Sequence, residues 1–397
     1  MSKIMAVNSG SSSLKFQLFD MPAEKVLTSG NIERIGLEMG IFGINVNGEK
    51  ISKEVPVPNH EVAVKLLLEA LVEYGIVKDL SEIEAAGHRI VQGGPYFSDS
   101  VAVDDDVIAK VTEMISLAPL HNAAHLVCYE AFKKALPDIK HVFVFDTAFH
   151  QTMGPESYIY PVPYEWYEEL KVRKYGAHGT SHKYVAQRTA DIMNKDIRGL
   201  NIITLHLGSG ASISAIKEGK VINTSMGLSP LGGIMMGTRC GDIDPTVVYY
   251  VQKKKGYTPD EMETFLNKKS GMLGISGISS DSRDVEAAMK QGNERAKLTY
   301  DLYVNKVINI VGGYVMQLGH VDVLTFTAGL GEHATNVREM ICKKLEEGLG
   351  LKVDYELNAK THSEMEISTP DSKVRVFVVP TNEELAIVRD TVRILGL

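Results

Sequence analysis

At 397 residues, with 44% hydrophobic and 23% charged side chains, the sequence has the make-up of a soluble globular protein. At about 150 residues per domain it is long enough for two or three. Its formal net charge of -8 excludes a general nucleic-acid binder, which needs clustered Lys and Arg against the phosphates, but not a local anion pocket. Cys128, Cys240 and Cys342 are odd in number and far apart, so they build no disulfide framework or CxxC knuckle. No apolar run approaches the ~18 residues of a membrane span, and MSKIMAVNSG lacks a secretory leader. The expected setting is the cytoplasm, with no membrane partner.

Short apolar runs alternating with longer amphipathic segments predict an α/β fold. In chain order, strands are expected at 4–7 and 14–19, then helices at 61–74, 105–117 and 122–136, then a strand at 141–145. A strand at 202–207, a helix at 294–318, a strand at 321–327, a helix at 335–349 and a strand at 374–379 follow. In 105–117, Val107, Ile108, Val111, Met114 and Ile115 recur at helical spacing, and Gly350 is a natural stop for 335–349. The Pro- and Tyr-rich stretch 154–163 is the best candidate for a domain boundary. Asn8 to Ser13 forms a Gly/Ser turn between two strand-like runs, and Gly208 to Ser212 repeats the arrangement half a chain later. The echo suggests duplicated domains.

These turns have the composition of anion cradles. Gly and Ser let consecutive amides approach a phosphate, while Ser11, Ser13, Lys15 and Asn8 add hydroxyls, a charge and an amide. A plain hairpin is the alternative reading of each turn. Neither fits GxxxxGK[ST], so a P-loop is excluded. A third cluster, Gly329, Leu330, Gly331, Glu332, His333 and Ala334, resembles GxGxxA, with Asp354 beyond it. Nothing else implies hydride chemistry, so it is read as backbone lying against a nucleotide.

Asn8, Asp146, His206, Gly329 and Glu383 each follow an apolar run, the strand ends where open α/β sheets bind ligands. Asp146 reads as a site acid or a cap. Glu383 reads as a cap of the last helix or, since hard cations take oxygen ligands, a Mg2+ ligand. Arg239, among the glycines of residues 236–245, suits a transferring phosphoryl group; its alternative is a surface pair with Asp242. Arg89, on another strand-to-loop edge, suits a carboxylate. The HxxxH spacings His121/His125 and His178/His182 lack the zinc-hydrolase glutamate. His178 reads better as a donor to a phosphoryl oxygen.

Together, Asn8 to Lys15, His88-Arg89 with Gly93-Gly94, residues 145–150, His178 to His182, residues 236–245, 279–284, Gly329 to Glu332 and 380–385 resemble the acetate kinase family from end to end. The resemblance implies an α/β fold of two duplicated actin-like (ribonuclease H-like) domains flanking a nucleotide cleft. It implies a discontinuous N-terminal acyl- and phosphate-binding domain at 1–148 plus 383–397, and a nucleotide-binding and dimerisation domain at 149–382. A homodimer is implied, using Mg2+ (or Mn2+) and running ATP + acetate ⇌ ADP + acetyl phosphate.

Carried over residue by residue, Asn8 and Glu383 would position Mg2+ and phosphate, and Asn8, Ser11, Ser13 and Lys15 would bind ATP. Arg89 would hold the acetate carboxylate, with Val91, Leu120, Ala177 and Pro230 around it. Asp146 would be the essential acid, and His178 and Arg239 would stabilise the transition state. His206, Leu207, Gly208, Ser209, Gly210, Asp281, Ser282, Arg283 and Gly329 to His333 would hold ATP. Acetate is already a carboxylate at pH 7, so no general base is needed, and Asp146 is expected to orient Arg89 or metal-bound groups.

Ala177 stands where the family often has Phe, Gln92 where it often has His and Ser209 where it often has Asn, and His125 lies in a segment that usually differs. A smaller side chain at 177 would open the acyl pocket, making propionate the rival substrate. A nucleotide-driven assembly protein on the same fold is the alternative of a different class, followed by a zinc hydrolase.

Overall fold

The computed structural model describes residues 2–397, except for the side chain of Leu120. The chain divides into two compact units: unit 1 runs to Gln151 and resumes with Asn382–Leu397, and unit 2 is Thr152–Thr381.

Unit 1 holds β1 (Ser2–Ser9), β2 (Ser13–Met21), β3 (Lys25–Glu33), β4 (Gly40–Val46), β5 (Glu49–Val55), β6 (Ile83–Ile90), β7 (Val101–Ala102) and β8 (Lys140–Phe145). They form an 8-stranded sheet in the order β5-β4-β3-β2-β1-β6-β8-β7. β1, β2 and β3 are an antiparallel meander, and β6 and β8 join parallel to β1. Successive side chains of a strand face opposite ways, and β6 shows it. Ala86 joins the core with Cys128 and Phe132 of the helix Pro119–Ala135. A Cβ on the next residue, Gly87, would instead lie 2.2 Å from Thr391 Oγ1 and 2.6 Å from Ile387 Cγ2, on the helix Glu383–Leu395. Helices therefore cover both faces.

Unit 2 holds β9 (Asn201–Leu207), β10 (Ala211–Lys217), β11 (Lys220–Thr224), β12 (Val323–Thr327), β13 (Met365–Glu366) and β14 (Arg375–Val378). The order is β11-β10-β9-β12-β14-β13, with β9, β12 and β14 parallel and β10 antiparallel to both β9 and β11. Every residue of β9 is buried, as a central strand covered on both faces must be. Ile203 and Leu205 meet the core of the helix Glu294–Leu318, and Thr204 turns to His182 on the helix Gly179–Ile192.

Set side by side, β3-β2-β1-β6-β8 and β11-β10-β9-β12-β14 have the same order and the same strand senses. This is the ribonuclease H-like fold of the actin class, present twice. The helices expected at 294–318 and 335–349 span those residues. In the first, Asn293 caps the Ala296 N–H, Gly319 follows at φ 83°, and Tyr300, Tyr303, Val307, Val311 and Tyr314 form the buried stripe. The helix expected at 105–117 stops at Glu113 and tightens to a 3-10 turn, Met114–Ser116. The one expected at 122–136 opens earlier, at Pro119, which suits a first helical position.

Candidate active site

Unit 1 gathers its polar residues at the ends of β1, β6 and β8. β6 and β8 are parallel neighbours with Arg89 opposite Val144 and Ile90 opposite Phe145, so Asp146, one step past β8 and two past Val144, lies on the same face as Arg89 and within reach of its guanidinium. Arg89 Nε lies 2.9 and 3.1 Å from the two Asp146 oxygens, its Nη2 also donates to Asp146, and its Nη1 donates to Asn8 Oδ1 at 3.1 Å. The Asp146 side chain is 1% exposed and that of Arg89 20%. Burial opposes the guanidinium charge, but Asp146, with Glu383 and Glu384, outweighs it and holds the Arg89 pKa above its usual value.

Glu383 opens the helix Glu383–Leu395. Burial pushes its carboxyl up to about 7; Arg89 and Lys15 pull the other way, and Asp146 and Glu384 add to the rise. Lys15 pairs across the first hairpin with Asn8. Between them, Gly10 N donates to Ser13 O at 2.7 Å and the Gly10 carbonyl meets His60 Nε2 at 2.8 Å. Ser11 is exposed and Ser13 partly so. His60 was not singled out from sequence, and its proximity to this turn is visible only in three dimensions.

The loop after Arg89 is locked from behind. Gln92 N donates to Asn122 Oδ1 (3.1 Å), Asn122 Nδ2 returns a bond to Gln92 O (2.8 Å), and Gln92 Oε1 caps Gly94 N (2.9 Å). Val91 is buried, and its N–H faces His125 Nδ1 at 3.4 Å. Gln92 is thus part of the support of this loop. Leu120, expected beside the acyl group, has its side chain outside the described residues.

In unit 2, His178 caps the helix Gly179–Ile192 from a left-handed backbone, φ 62°. Its Nδ1 meets Ser212 Oγ at 2.8 Å, and its ring stacks on His206 with centroids 4.0 Å apart. His206 Nδ1 in turn meets Ser181 Oγ (2.8 Å). His182 meets Ser212 and Thr204, so the pair His178/His182 is built into hydrogen bonds rather than around a common ion. Arg239 Nη1 donates to the Pro230 carbonyl at 3.1 Å. Asp242 is engaged with Gly233 N at 2.7 Å, and among the described residues no carboxylate pairs with Arg239. Burial lowers the Arg239 pKa, a cost that a bound anion would relieve. A Cβ on Gly210 would lie 3.4 Å from Arg239 Nη1 and 3.5 Å from His178 Nε2. The second turn, Arg239 and His178 therefore border one space.

Around this space, Gly208 approaches Ala328 and His206, and Ser209 O accepts from Gly237 N at 3.2 Å. Leu207 and Ala177 lie in the buried core, and Leu330 packs against it. Asp281 caps the helix Ser282–Lys290 through the Arg283 N–H and pairs with the exposed Arg283 side chain, while Ser282 O accepts from Tyr300.

The third glycine cluster differs from expectation. It is not a loop before a helix but a helix itself, Ala328–His333. Its first residue has φ 64°, and Glu332 Oε1 ties that turn down by accepting from Ala328 N (2.9 Å) and Thr381 N (3.3 Å). His333 is exposed. Beneath it, the fully buried Arg338 donates to the carbonyls of Gly331, Glu332, Asn358 and Thr361, and burial lowers its pKa to about 10.

Two ribonuclease H-like units, one with a carboxylate-anchored arginine and one with an arginine left open to an anion, define a kinase of the actin-like class. The sequence matches the model of the Acetokinase family over residues 3–389. It is 52% identical over 394 residues to an acetate kinase of Bacillus velezensis, covering 99% of this chain and 100% of that one. The crystal structure of the acetate kinase of Porphyromonas gingivalis superposes with a TM-score of 0.95 at 46% identity, covering 100% of both chains. That of a propionate kinase from Francisella tularensis gives 0.92 at 40%, covering 98% and 99%. The chain belongs to the acetokinase family.

Proposed function

We propose that the protein is an acetate kinase, transferring the γ-phosphoryl group of ATP in line to acetate and, in reverse, from acetyl phosphate to ADP. The observation that carries this reading is Arg239, a partly buried guanidinium whose side-chain hydrogen-bond partners among the described residues are a carbonyl and a thioether, facing the same space as His178 Nε2 and the Gly210 backbone. Acetate is favoured over propionate because full-length curated relatives at 51–52% identity are acetate kinases.

Unit 1 would bind acetate through Arg89, with Val91 near it, and hold the phosphate chain with Ser11, Ser13 and Lys15. In unit 2, Ala177 and Pro230 would be the residues that meet the acyl group. Asp146 would fix the Arg89 fork rather than take a proton, since an ionised carboxylate needs no base to attack phosphorus. Arg239 and His178 would stabilise charge on the transferring oxygens. The second turn, Asp281 to Arg283 and the helix Ala328–His333 would hold the nucleotide.

The donor set fits a divalent cation. Glu383 is a partly buried carboxylate raised to about 7 by desolvation, with Asp146 and Glu384 as like-charged neighbours, and Asn8 adds an amide oxygen. With Asn8 and Glu383 as its residues, Mg2+ would neutralise phosphate charge. We further propose a cytoplasmic homodimer. Support for the first is that the cysteines are free and that no helix among the described residues is long and apolar enough to cross a membrane. Support for the second is the exposed Tyr249, Tyr250, Leu298 and Met316 on two helices of unit 2.

Purified protein with ATP, Mg2+ and acetate in hydroxylamine should yield acetyl hydroxamate, and Arg239→Ala should abolish turnover while leaving ATP bound. Absence of hydroxamate with any short-chain acid would sink the reading. So would an Arg239→Ala variant with undiminished turnover.

A further inference from the structure

Ser212 lies at the start of β10, fully buried, with one imidazole on each side. Its Oγ is 2.8 Å from His178 Nδ1 and 2.8 Å from His182 Nε2. A hydroxyl has a single proton to donate, so it gives to one ring and accepts from the other. The far end of the chain decides which. His182 Nδ1 lies 2.6 Å from Thr204 Oγ1, and among the described residues Thr204 Oγ1 has no other hydrogen-bond partner. A buried hydroxyl keeps its proton satisfied, so Thr204 donates to His182 Nδ1. His182 then carries its proton on Nε2 and donates to Ser212, and Ser212 donates to His178 Nδ1. His178 is left with its proton on Nε2, the atom that faces Gly210 and Arg239.

We infer that Ser212 is a positioning residue that fixes His178 as the neutral Nε2–H tautomer, giving the transferring phosphoryl group an uncharged donor beside Arg239. A cationic His178 would add a second positive charge next to the Arg239 guanidinium and against the stacked His206 ring. The relay delivers a donor without that repulsion. The strained φ of 62° at His178 and the stack on His206 fix the direction in which the donor points. The inference rests on the proposed phosphoryl transfer for its effect on rate, but not for the tautomer itself.

The tautomer is read directly in protein labelled with 15N-histidine, His178 being assigned by the loss of its signals in His178→Asn. At pH 7.5 its Nε2 is expected to be protonated and its Nδ1 unprotonated; a protonated Nδ1 overturns the inference. In Ser212→Ala, kcat is expected to fall at least about tenfold, with KM for ATP changed by less than about threefold. Its pH profile gains an ionisation, with kcat rising toward acid, because the ring then donates dependably only when charged. Ser212→Thr, which keeps the hydroxyl, restores the wild-type profile. Wild-type kcat and pH profile in Ser212→Ala would overturn the relay. The stated tautomer in a protein that makes no acetyl hydroxamate would leave the relay standing and remove the kinase reading instead.

Discussion

Asp146→Asn tests how the carboxylate site is held. A guanidinium has five N–H donors. In Arg89 the Nε proton and one Nη2 proton go to Asp146 and one Nη1 proton to Asn8. One proton remains on each Nη, the number a carboxylate accepts in a bidentate pair. An asparagine keeps one acceptor but turns an NH2 toward Nη2, so the fork rotates and one of the two acetate bonds loses alignment. A charge-assisted bond contributes about 1.5–3 kcal/mol, so kcat/KM for acetate should fall by roughly 10- to 150-fold. Breaking a buried pair costs about 3–5 kcal/mol, but the retained acceptor and the partial exposure of Arg89 reduce the expected loss of stability to about 2 kcal/mol. Initial rates against acetate, nucleotide titration and urea unfolding separate these effects, and nucleotide affinity should not change. A variant with kcat/KM within twofold of wild type would refute the reasoning, as would one losing nucleotide affinity in step with acetate turnover.

Gly210→Ala places a methyl 3.4 Å from Arg239 Nη1 and 3.5 Å from His178 Nε2; kcat should fall about 10- to 100-fold with the melting temperature nearly unchanged. Gly87→Ala drives a Cβ to within 2.2 Å of Thr391 Oγ1 and 2.6 Å of Ile387 Cγ2, so urea unfolding should show a loss of about 1–3 kcal/mol. The helix carrying Glu383 is the one displaced, so the Mg2+ requirement should also rise. Acid should weaken unit 1. Burial, joined by neighbouring cationic or imidazole groups, holds His125 to about 3 and His141 to about 4, and pushes His88 well below its usual value. Their unfolded pKa is about 6.5, so stability is complete above that and falls as pH drops toward 4, by about 1.4 kcal/mol per histidine at pH 5.5. Glu383 acts oppositely. Its folded pKa of about 7 lies above the 4.5 of an ordinary glutamate carboxyl, so its protonation contributes about 2 kcal/mol at pH 5.5. The net loss without Mg2+ should be about 2 kcal/mol, doubling in Glu383→Gln; equal losses in the two proteins would contradict this assignment.

The central strands were legible because they are buried on both faces: β9 and β12 read as mostly apolar, β-branched runs interrupted only by Asn, Thr and His. The meander beyond β2 was not. In β5 the residues Glu49, Lys50, Ser52, Lys53 and Glu54 sit on an exposed edge strand, whose sequence carries no core signal. Arg89 and Asp146 could be paired by chemistry alone, but the level at which they meet depends on the parallel register of β6 and β8. Arg338 left no trace, because an arginine on a helix reads as solvated surface. Its burial depends on carbonyls at Gly331, Glu332, Asn358 and Thr361 that gather only in the folded chain. Ser212 read as a turn residue for the same reason. The helix Ala328–His333 escaped notice because its glycines suggest a loop, whereas Glu332 closes the turn through its own carboxylate.

The central claim is phosphoryl transfer to acetate, and 31P NMR of the purified protein with ATP, Mg2+ and acetate tests it most directly. A new acyl phosphate resonance should grow as the γ-phosphate signal falls and ADP appears, and acetyl phosphate with ADP should regenerate ATP. Inorganic phosphate as the only new signal, or a higher kcat/KM for propionate than for acetate, would contradict the account.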